Sequence, residues 1–199
     1  SADAGTTGGY TDLSGTSMAA PHIAGVAATL AAAKAVAESG VALPIPCHLL
    51  FTISEEVGSG ASAVLHGDIS EMVTIDAGPR IPEDSSDEFS VIVCMKDSFA
   101  PFDYHLTHKL LRLCEEHDVR HKRDVFKYYR CDSASAIEAG NDIRTALVCI
   151  GTDATHGYER CHNKSVSALG ELLGLYLQSE PTFQRDREEL DRERSLPKL

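Results

Sequence analysis

Arg144–Gly151, RTALVCIG, is a short, nearly unbroken apolar run of the kind that fills a strand buried on both faces. The segments around it alternate with helices. Downstream, SVSALGELLGLYLQ (165–178) reads as a helix despite Gly170 and Gly174. Upstream, SASAIEAG (133–140) reads as a helix closed by Gly140, and RDVFKYY (123–129) as a strand. FDYHLTHKLLRLCEEH (102–117) is amphipathic, with Leu106, Leu110, Leu113 and Cys114 on one face. EMVTID (71–76) and EFSVIVCMK (88–96) read as strands, GASAVLHG (60–67) as a short helix, and CHLLFTIS (47–54) as another buried parallel strand. An Ala-rich helix is expected from Ser17 to Glu38, stopped by Gly40 and then by Pro44 and Pro46. The alternation predicts an α/β fold: a mixed, mostly parallel sheet with helices on both faces. Residues 1–16 read as a Gly/Thr-rich loop and 17–180 as one domain. The mixed-charge tail, 181–199, is expected to be a solvated helix or disordered.

Composition narrows the function classes. The chain has 199 residues, 43% of them hydrophobic, which suits a single domain with a substantial core. The net charge is −12, and between Ser54 and Glu88 nine acids face a single basic residue, Arg80. A nucleic-acid footprint would be basic, so nucleic acid is excluded as a partner. No apolar run reaches membrane-spanning length and no signal peptide is recognisable. The six cysteines contain no CxxC pair. Both features lead to the expectation of a cytoplasmic protein with reduced thiols and no membrane partner.

In open α/β sheets the site lies beyond the carboxyl ends of the strands. The residues just after the predicted strands are Glu55 and Glu56, Asp76, Asp132, and Asp153 with His156. Each alone reads more readily as a helix cap or a surface acid than as a ligand. Together they fit a cation site. Carboxylates with an imidazole suit zinc or a neighbouring divalent metal, whereas carboxylates alone suit magnesium or calcium.

LLFTISEEVGSGAS, VTIDAG, DSASAIEAGNDIRTALVCIG and THGYER resemble the catalytic domain of the tetrahedral aminopeptidases, the dinuclear glutamyl or leucyl metallo-aminopeptidases. The likeness runs over about residues 24–179 and is nearest to the branch linked to N-acetylglutaminylglutamine amide osmoprotectant clusters. The resemblance implies a metal-dependent peptidase that removes N-terminal residues from peptides with a free N-terminus. It implies Glu55 as the general base, Glu56 as a ligand of one metal, Asp76 as a ligand of the other, and His156 as a further ligand of the first. The two divalent ions would be zinc or cobalt, in a homo-oligomer. A divalent metal lowers the pKa of its bound water to about 7, and a carboxylate can accept the proton that water loses.

The same resemblance implies two further ligands, a histidine far upstream and a bridging aspartate just before Ala-Gly-Val-Ala. AGVAA stands at 24–28, but Ala20, Pro21, His22 and Ile23 precede it. The stretch SGTSMAAPHIAG (14–25) instead resembles the nucleophile motif of subtilisin-like serine proteases, with Ser17 as the nucleophile. A serine triad in that order needs Asp and His upstream, and no histidine precedes Ser17. The chain therefore reads as a splice of two families, whose metal site is short of ligands. A serine-peptidase fragment and a non-catalytic remnant stand as alternatives.

Overall fold

The computed structural model describes residues 10–11, 19–65, 67–80 and 85–183. In chain order the elements are β1 (Tyr10–Thr11), α1 (Ala19–Ser39), β2 (Glu71–Pro79), β3 (Val91–Lys96), α2 (Tyr104–Glu116), β4 (His121–Val125), α3 (Asp132–Glu138), β5 (Arg144–Thr152), β6 (Cys161–His162) and α4 (Asn163–Gln178). The expected start of the first helix at Ser17 and most of the charged tail lie outside the described residues.

The sheet is built around β5. It pairs in parallel with β2 on one side and antiparallel with β3 on the other, and β3 pairs in parallel with β4. The short β6 joins the end of β5 at Thr152 and holds β1 antiparallel. This is the mixed sheet the alternation predicts. Every residue of β5 after Arg144 is buried, as a nearly unbroken apolar run requires.

The two-residue period of a strand divides this apolar run between two cores. Ala146, Val148 and Ile150 join Val91 and Val93 against α1, α2 and α4. Leu147 and Cys149 join Ile92 and Cys94 against Phe102, Phe126 and Cys131. Helix α3 lies on this second side, where Ser133 and Thr74 of β2 share a hydrogen bond of 2.7 Å. Helix α2 begins where Asp103 accepts a hydrogen bond from the Leu106 amide at 2.8 Å, and it buries Leu106, Leu110 and Cys114 completely.

Three expectations need correction. GASAVLHG forms a 3-10 turn over Gly60–Ala63, preceded by another over Glu55–Val57, rather than one helix. The strand expected at 123–129 lies earlier, at His121–Val125, and Phe126 leaves it to enter the second core. The largest difference is CHLLFTIS, which forms no strand. It runs as an irregular strap with Leu49, Leu50, Phe51 and Ile53 exposed, Ile53 almost fully at 99%. Its apolar pattern suits a strand, but no sheet edge lies within hydrogen-bonding reach of residues 49–53 among the described residues. Apolar character alone does not make a strand.

Candidate active site

The strap ends in a tight knot that positions the paired glutamates. The Ser54 carbonyl accepts hydrogen bonds from the Ser59 and Gly60 amides, both at 3.1 Å. Gly58 closes the turn at φ +80°, donating to the Glu55 carbonyl at 2.8 Å. That left-handed conformation suits glycine. Gly60 is required for space: a Cβ there would fall 1.5 Å from Asp132 Oδ1. The close approach lets buried Asp132, at the start of α3, tie the segment to the sheet. Its Oδ1 accepts from the Ala61 amide at 3.0 Å and its Oδ2 from the Thr52 hydroxyl at 2.6 Å. Asp132 is one of the acids that follow a predicted strand; its structural role here is to hold this knot.

Glu55, Glu56, Asp76 and Asp132 line one cavity of about 490 Å³. Asp76 sits within β2 opposite Cys149, and its Oδ1 accepts from the Ala77 amide at 2.7 Å. His156 stands in a loop clamped by the Asp153 amide donating to the Arg160 carbonyl at 2.8 Å, and by an Arg160–Asp153 ion pair at 3.0 Å. It adopts the left-handed conformation at φ +55°, costly for a residue other than glycine. Its amide donates to Glu159 Oε1 at 2.6 Å, which helps to hold that conformation. From this position His156 Nε2 lies 3.8 Å from Glu56 Oε2. Of the four residues singled out in the sequence, three line the cavity, and the fourth reaches one of them.

The donors are of the right kind for a divalent metal, carboxylates with an imidazole. Among the described residues, however, no three His, Cys, Asp or Glu side chains converge closely enough to hold an ion. A catalytic zinc site uses three protein ligands, so the arrangement falls short by at least one. Burial pushes the neighbouring Cys131 and Cys149 thiols above the ordinary range, and the charge of Asp76 adds to the effect.

The far end of the cavity has a different character, with no counterpart in the sequence reading. There Glu71, the first residue of β2, accepts from the Tyr176 hydroxyl at 2.9 Å and from the Thr182 amide at 3.0 Å, and it lies 3.8 Å from Arg144. Lys109 of α2, only 7% exposed, also lines this end, its ammonium 4.8 Å from the centre of the Tyr176 ring. Burial holds Lys109 below the ordinary lysine range, with Glu71 opposing the shift. A lone lysine on a largely apolar helix face carries no motif, so only the packing of α2 against α4 could reveal it.

Comparison with known proteins bears on the fold and the family. YhfE of Bacillus subtilis (strain 168), whose name assigns it as an aminopeptidase, is 34% identical over 156 residues, covering 78% of this chain and 45% of YhfE. The TET aminopeptidase of the marine sediment archaeon Thaumarchaeota archaeon SCGC AB-539-E09 shares the fold with a TM-score of 0.72 at 13% identity, over 86% of this chain and 50% of its own. The TET1 peptidase of Pyrococcus horikoshii, which can assemble into a tetrahedron or a large octahedral shell, aligns with a TM-score of 0.57 at 18% identity, over 64% of this chain and 39% of its own. The chain thus spans about half the length of these relatives or less. Residues 16–172 match the profile of the M42 glutamyl aminopeptidases, and the chain belongs to that family.

Proposed function

We propose that the chain carries the catalytic-site portion of a metal-dependent aminopeptidase acting on peptides with a free N-terminus. The observation that carries this reading is the approach of His156 to Glu56 at 3.8 Å, beside a cavity lined by Glu55, Glu56 and Asp76. Glu56 and His156 would hold one divalent ion and Asp76 a second, zinc or cobalt, with further donors needed to complete either set. When bound, such a metal supplies water acidic enough to lose a proton near neutral pH. Glu55 would accept that proton and return it to the leaving amine, and the negative charge of the site would attract a free α-ammonium group. Residues 17–180 act as one catalytic unit, in a homo-oligomer as in the TET1 relative, and in the cytoplasm. The osmoprotectant-linked branch fits the quoted motifs.

The test is a leucyl chromogenic substrate offered to the full chain beside its N-acetylated counterpart, with and without a chelator. Cleavage of the free substrate alone, lost with chelator and restored by zinc or cobalt, is the expected outcome. Preferential cleavage of the blocked substrate, or insensitivity to chelator, overturns the reading.

A further inference from the structure

His156 owes its place to its backbone. Packing within the described residues leaves 66% of its side chain exposed, so contacts of the ring do little to fix its direction. The left-handed conformation, at φ +55°, does fix it. Reversing the sign of φ swings the Cα–Cβ bond to the other side of the chain and carries the imidazole away from Glu56. Glycine adopts this conformation without steric cost, and the loop holds one at the next position, Gly157. The positive φ nevertheless falls on the histidine and not on that glycine. The loop accepts conformational strain at the position that carries the imidazole.

The counterweight is Glu159. It lies three residues further on, is more than nine-tenths buried, and presents Oε1 to the His156 amide at 2.6 Å. Its second oxygen, Oε2, is buried and accepts no hydrogen bond among the described residues. Glu159 is held in turn by its neighbour. The Arg160 carbonyl accepts from the Asp153 amide at 2.8 Å. The Arg160 guanidinium pairs with Asp153 at 3.0 Å and lies 4.0 Å from buried Glu88. Cys161 then pairs with Thr152 at the end of β5. These contacts run from the central strand through Arg160 and Glu159 to the His156 amide, and they turn the loop of residues 153–160 into a mount for one side chain.

From this geometry we infer that Glu159 is a positioning residue: its buried carboxylate traps the His156 backbone in the left-handed region and so aims the imidazole at Glu56. The role is that of a hydrogen-bond acceptor and needs no contact with substrate. A glutamate that only stabilised the loop would leave the direction of the ring unchanged when removed. The inference rests on the aminopeptidase reading only for the use to which the aimed imidazole is put.

The test is nuclear magnetic resonance on the full, isotope-labelled chain treated with chelator. The signal is the Overhauser contact between the His156 ring protons and the Glu56 side-chain methylenes. It is expected in the unsubstituted chain and in Glu159→Gln, which keeps an acceptor oxygen of the same reach. It is expected to vanish in Glu159→Ala, while the cross-peaks of Thr52 and Ala61 in the glutamate knot stay in place. In the unsubstituted chain the His156 amide should be about tenfold more protected from exchange than that of Gly157, the worth of one charge-assisted hydrogen bond. An Overhauser contact that survives Glu159→Ala overturns the inference, as does its absence from the unsubstituted chain. Equal protection of the two amides also overturns it, and that comparison decides the matter even if Glu159→Ala fails to fold. Loss of the contact in Glu159→Ala with undiminished leucyl hydrolysis would leave the clamp standing and remove His156 from the aminopeptidase site. A contact that persists while hydrolysis falls would do the reverse.

Discussion

RTALVCIG and CHLLFTIS are nearly interchangeable as strings, yet they have opposite fates. In β5, Val148 is fully buried and Ile150 is 1% exposed, whereas in the strap Ile53 is 99% exposed. The difference lies in the neighbours. β5 has β2 on one edge, β3 on the other and a core on each face, so its backbone groups and side chains are satisfied together. The strap has an apolar sequence but no edge in contact. It is fixed instead at its end, by Asp132 and the Ser54 carbonyl. A strand is a property of a pairing, and a similar apolar run without the pairing becomes part of a cavity wall.

The sharpest way to break this contrast is to charge the buried segment. Val148→Asp places an unpaired carboxylate in the core between the sheet and its covering helices and is expected to cost about 4 kcal/mol or more, enough to abolish the cooperative transition in a thermal melt. A cooperative melt of the variant near the original midpoint would show that β5 is not the centre of the core.

The knot at the end of the strap separates function from stability. Glu55→Gln keeps the shape of the side chain but not its capacity to take a proton. Any leucyl-substrate hydrolysis should fall by about 10²–10⁴-fold, with an unchanged melt and unchanged metal uptake. Retained turnover would remove Glu55 from the role of base.

Gly60→Ala probes how the strap is attached. The added Cβ displaces the Asp132 carboxylate and sacrifices its bonds to Thr52 and Ala61, for an expected loss of about 1–3 kcal/mol in denaturant unfolding. Asp132→Ala combined with Gly60→Ala should then cost little more than either change alone, because both remove one contact. Additive losses would show that Gly60 acts through something else.

The smallest effect is predicted for Ile53→Ser, within about 0.5 kcal/mol of the unsubstituted chain, since nothing is uncovered by the change. A loss of several kcal/mol would mean that the strap is packed as a strand after all, and would draw the two regions together.

Part of the cavity lining was legible before any coordinates. The glutamate pair, the aspartate ending VTID and the histidine of THGYER are read from motif. Strand-end position does not place the glutamates or the aspartate, since Glu55 and Glu56 follow an irregular strap and Asp76 lies inside β2. The strand β6 was not legible, since two residues carry no period, and it exists because Cys161 meets Thr152 and Thr11 in space. Lys109 was equally hidden. Its neighbours in sequence are those of any amphipathic helix, and its significance comes from Tyr176, 67 positions further along the chain.

By itself the sequence determined most of the order of helices and strands, the two-residue period that splits β5 between two cores, and the acidic balance. These are local properties, set by side-chain period and type over a few positions. Only the tertiary structure decided which apolar run found partners, how far His156 stands from Glu56, and that Lys109 lines the same cavity as the carboxylates. Those depend on contacts between residues distant in the chain, where pairing, packing and burial are settled jointly and no single segment carries the information.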